Sequence, residues 1–103
     1  MDKFSNVTVA KAANVYFDGN VTSRIVEFED GSIKTLGIMM PGEYEFGTSQ
    51  PEFMEITAGY LLVKMPGSDS WDEVRAGESF HVPSDSRFQV SVQQLTDYIC
   101  SYL

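Results

Sequence analysis

Cysteine, histidine and tryptophan each occur once in this 103-residue chain, and each scarcity removes a class of function. A lone thiol, Cys100, permits no internal disulfide, and no charged-then-apolar leader opens the chain, so a secreted protein finds no support and the cytoplasm is the expected location. Basic residues are also scarce. Lys and Arg total 7 against 15 Asp and Glu, for a net charge of -8. That balance repels polyanions, so neither a nucleic-acid groove nor an anionic membrane surface is expected, and the implied ligand is small. The longest apolar stretches, around Leu36 to Met40 and Tyr60 to Val63, fall far short of the roughly 20 residues that a membrane helix requires. A sustained 3.6-residue period is missing too, which argues against an amphipathic helical fold.

What the chain does contain is β signal. Beyond Tyr16 it reads as short β-branched and aromatic runs separated by Gly, Pro and Asp at turn spacing. Asp30-Gly31 lies between two such runs and suits the positive φ angles of a two-residue hairpin turn. Pro41-Gly42, Pro66-Gly67 and Ala76-Gly77 punctuate the following segments. In "SRFQVSVQ", Phe88, Val90 and Val92 alternate with polar neighbours, the period of a strand with one wet face. The tail "DYICSYL" alternates in the same way, with Tyr98, Cys100 and Tyr102 on one side. The fold expected is all-β, a single-domain small barrel or jelly roll over residues 15–103, preceded by an N-terminal arm at residues 1–14.

The spacing within "GEYEFGTSQPEFMEITAG" narrows the choice. Glu52, six intervening residues and Gly59 have the spacing that closes the first cupin motif, and Gly77 and Pro83 in "GESFHVP" have the spacing that opens the second. On that spacing the motif's histidines fall on Glu45, Gly47 and Phe88, and of the motif's own ligands only the carboxylate, Glu52, remains. Zinc, iron and nickel prefer imidazole or thiolate ligands, so a metal site of the cupin type is not expected, and no cofactor is implied.

A narrower resemblance covers Tyr16 to Leu103. "YFDGNVTS", then Pro41-Gly42-Glu43-Tyr44 with Phe46 and Thr48, Pro51-Glu52 with Met54, and the ending Tyr98, Cys100, Tyr102 are similar to the small pyrimidine/purine nucleoside phosphorylases, a family of single-domain cupins. The chain departs from that pattern in a longer N-terminal arm and in Ile38, where Val is common. The resemblance implies phosphate-dependent cleavage of purine and pyrimidine ribonucleosides to free base and ribose 1-phosphate. Inorganic phosphate is then a co-substrate, and a homodimer is the implied assembly.

Cleaving an N-glycosidic bond builds positive charge on the sugar, so a carboxylate beside it is useful, and the same carboxylate can accept hydrogen bonds from ribose hydroxyls. Glu52 and Glu43 are the catalytic candidates, since strand alternation is read as placing both on the face that carries ligands in a metal cupin. Ser23 and Thr48 fall in family-like segments and can donate to phosphate. Met54 continues the inward alternation from Glu52, and Phe88 and Tyr98 belong to a set of aromatics, with Phe17, Tyr44, Phe80 and Tyr102, on which a base can stack. His81 alternates outward and reads as a surface residue. Arg87, beside the inward Phe88, points outward as well, Cys100 reads as a small buried hydrophobe, and Trp71 reads as a packing residue at a hairpin flank. Without the resemblance, the same barrel would equally be a non-catalytic module that binds a sugar or nucleotide. A cupin-type sugar isomerase is a third reading, weakened because the outward His81 is a poor base for an interior proton.

Overall fold

Val, Ile, Thr and aromatic residues fit a pleated, half-buried surface, and the runs they form become the strands of this protein. The computed structural model describes residues 2–103, and Met1 lies outside the described residues. The strands are β1 (Thr8–Val9), β2 (Asn14–Tyr16), β3 (Val21–Glu27), β4 (Ile33–Met39), β5 (Gly42–Gly47), β6 (Glu52–Lys64), β7 (Asp72–Arg75), β8 (Ser79–Val82) and β9 (Arg87–Tyr102). A 3-10 turn at Phe17–Gly19 is the one helical element among the described residues, and no helix there is long and apolar enough to cross a membrane. The expected all-β architecture is what the chain adopts.

Two long strands organise the rest. β6 and β9 pair antiparallel over nearly their whole lengths. Along one side of β9 lie β5, against Arg87 to Val92, and then β4, against Thr96 to Ser101. Along the far side of β6 lie β8, against Glu52 to Glu55, and then β7, against Tyr60 to Val63. The ladder between β6 and β9 shifts register around Ala58 and Tyr60, and Gly59 between them has φ +95°. Such a bulge bends the paired strands and increases their twist. The bent ribbon therefore contributes to two leaves: β3, β4, the C-terminal half of β9, the N-terminal half of β6 and β8 form one, and β5, the other halves of β9 and β6, and β7 form the second.

The leaves meet over one apolar core. Leu61, Val63, Val74, Val90 and Val92 fill the end nearer β7, and Val21, Met39, Ile56 and Val82 are buried on the other leaf. Burying each such side chain contributes about 1.5–3 kcal/mol. β1 and β2 both pair with β3, so Thr8–Val9 of the expected arm docks on the sheet and β2 runs across the expected boundary after residue 14. Phe4 packs edge-on against Phe28, with their ring centroids 5.1 Å apart.

The turn between β3 and β4 differs from expectation. Only Gly31 takes a positive φ, +87°. The Gly31 N–H donates to the Phe28 carbonyl and Phe28 N–H to the Ser32 carbonyl, both at 2.9 Å, so the connection is a three-residue loop of Glu29, Asp30 and Gly31 rather than a two-residue turn. Asp30 is occupied instead by accepting hydrogen bonds from the Ser32 N–H at 2.9 Å and the Ser32 hydroxyl at 2.6 Å. A carboxylate that can cap the turn in this way favours an ordinary backbone at Asp30 and leaves the left-handed position to glycine.

Gly37 on β4 needs its missing side chain. A Cβ there would collide with the Thr22 carbonyl oxygen and would lie 2.7 Å from the Tyr98 ring and hydroxyl. Tyr98 is opposite Gly37 in the ladder, and the end of its ring occupies the space a side chain there would need, with its hydroxyl donating to the Thr22 carbonyl at 3.3 Å. Gly37→Ala is expected to destabilise the protein by about 1–3 kcal/mol through overpacking. Urea unfolding of both proteins measures this, and an unchanged midpoint would contradict the packing described.

Candidate functional site

The antiparallel ladders bring particular inward residues into rows. Ser23 faces Gly37, Gly37 faces Tyr98 and Tyr98 faces Ile56; one step along, Thr35 faces Cys100 and Cys100 faces Met54; one step further, Tyr102 faces Glu52. Because strand side chains alternate between faces, all of these project into the space between the leaves. Apart from Gly37 and Ile56 they line, with Met39, a cavity of about 430 Å³, whose opposite wall and rim come from Tyr16, Phe17, Glu45, Phe46, Gly47 and Phe88. A volume of this size falls in the range of small-ligand sites.

The floor of the cavity is polar. The Cys100 thiol donates to Glu52 Oε1 at 3.4 Å, Thr35 and Tyr102 share a hydrogen bond at 3.4 Å, and Asn14 Nδ2 donates to the Ser23 hydroxyl at 3.2 Å. Burial disfavours charge. It raises the Glu52 carboxyl above the ordinary value of 4.5, although the thiol bond pulls the other way. Burial, followed by the adjacent Glu52 charge, pushes the Cys100 thiol up to about 12. Tyr102 is pushed up to about 12, chiefly by burial, and Tyr98 moves in the same direction for the same reason. At neutral pH this floor presents hydroxyl and thiol donors around one carboxylate, a set suited to a neutral, polyhydroxylated ligand.

The structure gathers most of the candidate residues and leaves out two. Glu52, Ser23, Met54, Phe88 and Tyr98 all line the cavity. Glu43 does not: the inner face of β5 is taken by Tyr44, which is buried, and by Phe46, so Glu43 and Glu45 alternate to the wet side. The reason is local. The Tyr44 hydroxyl donates to the Met40 carbonyl at 2.7 Å, folding its ring back under the Pro41-Gly42 turn and setting the strand's facing. Thr48 lies outside the cavity and is spent on a latch, donating to the Pro83 carbonyl at 2.7 Å and accepting from the Ser86 N–H at 3.1 Å.

The same alternation decides where the positions that hold histidines in the cupin motif fall. Glu45 and Gly47 reach only the cavity rim, and Glu45 pairs outward with Arg87 at 3.3 Å. Phe88 is interior but has no donor atom. No group of three or more His, Cys, Asp or Glu suited to a metal ion occurs among the described residues, and this donor set does not fit the imidazole-rich site of a metal cupin. His81 is exposed and stacks on Phe53, with centroids 4.6 Å apart. Arg87 is exposed as well.

Cavity residues not picked out from the sequence as ligand contacts are Tyr16, Thr35, Met39, Phe46 and Cys100. The alternation of the tail already placed Cys100 and Tyr102 beside Tyr98. Thr35 carried a fainter signal, a polar residue in phase with Gly37 and Met39.

Comparison with known proteins places the chain among relatives. The family model described as pyrimidine/purine nucleoside phosphorylase matches residues 11–102. A protein of that name from Sulfurovum sp. is 63% identical over 103 residues, covering 100% of both chains, and one from Leptospira interrogans is 58% identical, covering 100% of this chain and 97% of its own. These relatives match the N-terminal arm too, so the arm does not set the chain apart from them. The crystal structure of a protein of unknown function from Acinetobacter sp. ADP1 superposes with a TM-score of 0.95 at 43% identity, covering 98% of each chain. An RmlC-like cupin from Shewanella frigidimarina, with a TM-score of 0.71 at 16% identity over 97% of this chain and 86% of its own, shares the fold. The barrel is therefore of the cupin type.

The raised pKa of Glu52 has a consequence for stability. Its neutral form is favoured in the folded state, so the contribution it makes is full below its ordinary value of 4.5 and is lost as pH rises through the higher folded value. Glu52→Gln keeps the shape and still accepts from Cys100 but abolishes that loss. The variant is expected to melt above the parent at pH 7, with the gap closing as the pH falls below 4.5. Melting curves across pH test this, and a variant that melts lower at pH 7 would contradict the assigned burial cost.

Proposed function

Because the chain belongs to the pyrimidine/purine nucleoside phosphorylase family, we propose that it cleaves purine and pyrimidine ribonucleosides with inorganic phosphate, giving free base and ribose 1-phosphate. The observation that carries this reading is the cavity floor, where the Glu52 carboxylate stands among the hydroxyls of Ser23, Thr35, Tyr98 and Tyr102. In the reaction the bond from C1′ to the base nitrogen breaks, its electron pair leaves with the base, and a phosphate oxygen forms the new bond to C1′. Positive charge accumulates on the ribose between these events, and Glu52 is positioned in a desolvated setting to stabilise it and to accept from ribose hydroxyls.

Phosphate has no cation waiting for it in the cavity. No Lys or Arg lines it among the described residues, so on this reading hydroxyl donors hold the anion. Met54, Phe88 and Met39 supply the apolar surface against which the ligand orders. The reaction proceeds without a resident metal, in keeping with the poor donor set, and takes place in the cytoplasm.

The test is base release from uridine and adenosine with and without phosphate, in the presence and absence of a chelator. Release is expected only with phosphate and is expected to survive chelation. Glu52→Gln is expected to lower the rate by roughly two to three powers of ten while remaining folded. Tight nucleoside binding with no base release under any condition would favour a binding module, and activity lost to a chelator and restored by zinc or iron would overturn the metal-free reading.

The working unit on this reading is a homodimer. Supporting it, Leu36 on β4 and Leu95 on β9 stand exposed, and exposed apolar surface and open strand edges invite pairing. Light scattering at micromolar concentration is expected to give twice the chain mass of 11.5 kDa, and a monomer mass would contradict it.

A further inference from the structure

The segment Tyr16-Phe17-Asp18-Gly19-Asn20, whose first two residues line the cavity, has a conformation that core packing does not explain. Phe17 and Asp18 are consecutive non-glycine residues at positive φ, +53° and +57°. A bulky residue rarely adopts this conformation, and it persists only where the surroundings hold it. Here they do. The Phe17 carbonyl accepts from both the backbone N–H of Asn20, at 3.1 Å, and its side-chain amide, at 3.0 Å. The Asn20 carbonyl in turn accepts from the Met40 N–H at 2.8 Å, tying the turn to the end of β4.

Burial does not repay the strain. The Phe17 residue is 44% exposed, whereas Tyr98 and Cys100 on the floor are 7% and 3% exposed. A turn needing only this backbone shape would be served better by Gly or Asn. What the strained backbone achieves is the position of the ring. It stands at the rim of the cavity, with its centroid 4.9 Å from that of Tyr44 and 5.6 Å from that of Phe46 in an edge-to-face contact. Phe46 stacks in turn against Phe88 at 5.6 Å. The cavity thus has a polar floor and an aromatic mouth.

Resting on the nucleoside reading above, we infer that Phe17 is a specificity-determining residue that forms one wall of the base subsite, so that a nucleoside enters ribose first and its base stacks at the rim. The floor matches a ribose: several hydroxyl donors face one carboxylate acceptor. The mouth matches a base, because an exposed π-face offers stacking without selecting particular edge atoms. A half-open aromatic wall grips by area. It therefore holds a two-ring purine better than a one-ring pyrimidine while accepting both.

The experiment is calorimetric titration of the full-length protein with adenosine, uridine and ribose 1-phosphate, which lacks a base, for the parent and for Phe17→Leu, Phe17→Gly and Phe17→Trp. Phe17→Leu and Phe17→Gly are expected to weaken adenosine binding by roughly ten-fold, to weaken uridine binding less, and to leave ribose 1-phosphate binding unchanged. Phe17→Trp is expected to retain adenosine. Phe17→Gly, which adopts the turn without strain, is expected to melt no lower than the parent, which separates loss of the ring from loss of the fold. An equal loss for ribose 1-phosphate, or adenosine binding indifferent to Phe17→Leu, overturns the base subsite while leaving the phosphorylase reading in place. A parent protein that binds neither nucleoside nor ribose 1-phosphate overturns both.

Discussion

The bend in the β6 and β9 ribbon is the constraint from which the remaining geometry follows. At Gly59 the backbone has φ +95°, and a Cβ there would run into the Leu95 carbonyl oxygen and lie 2.7 Å from the Thr96 hydroxyl. Only a glycine can occupy this point without displacing β9. Thr96 is fully buried against it and returns its own hydroxyl to the Gln94 carbonyl at 2.9 Å. The bulge also changes which residues of β6 face inward. Before it, Glu52, Met54 and Ile56 face the interior or line the cavity; after it, Leu61 and Val63 do. One inserted residue flips the facing of everything that follows. A regular strand would turn either the cavity residues or the aliphatic core of β6 toward solvent.

Within that frame the cavity places polar groups where water is scarce. Each of Glu52, Cys100, Tyr98 and Tyr102 has its pKa raised, and burial is the leading cause in every case. For the thiol and the phenols this costs nothing at neutral pH, because they stay protonated and serve as donors. For the carboxyl it is a cost carried into the folded state, and such costs concentrate where a site needs a particular charge in a particular place. The acidic surface adds nothing to the charge that lines this floor, since Glu45 is turned to the rim and paired with Arg87.

How much of this was readable from the residues depends on whether facing follows from local alternation. It does for β9, where Phe88, Val90 and Val92 and then Tyr98 and Cys100 keep one parity throughout and are all buried. It does for the first part of β6, so Glu52 and Met54 were placed correctly in the interior. It failed on β5. Alternation there admits two phases, and the choice is made by a side-chain bond that alternation does not show, from the Tyr44 hydroxyl back to the Met40 carbonyl four residues earlier, which turns an aromatic ring inward and Glu43 outward. Thr48 lies apart from the cavity for a reason that local sequence does not carry: a hydroxyl in a family-like segment can serve a ligand or the backbone, and its partner at Pro83 lies 35 residues away. The Asp30-Gly31 turn was located but its length was not, because the side-chain cap from Asp30 to Ser32 stabilises a longer loop.

The two halves of the bent ribbon have different work. On the β7 side the interior is mainly aliphatic, with Leu61, Val63, Val74, Val90 and Val92 all buried and the aromatic Tyr44 and Phe88 beside them. On the β8 side the same two strands carry Glu52, Met54, Tyr98, Cys100 and Tyr102 into the cavity. A chain this short has one core to draw on, so a site with a buried carboxyl, packed phenols and a strained aromatic turn must be supported by stability generated elsewhere in the same core. Continuous strands do this directly, because the site residues are fixed by backbones whose other ends are held in the aliphatic half. The bulge at Gly59 is the border between them, which explains why the spacing from Glu52 to Gly59 reads as a motif: it measures the distance from the site's carboxylate to the point where the sheet turns to enclose it.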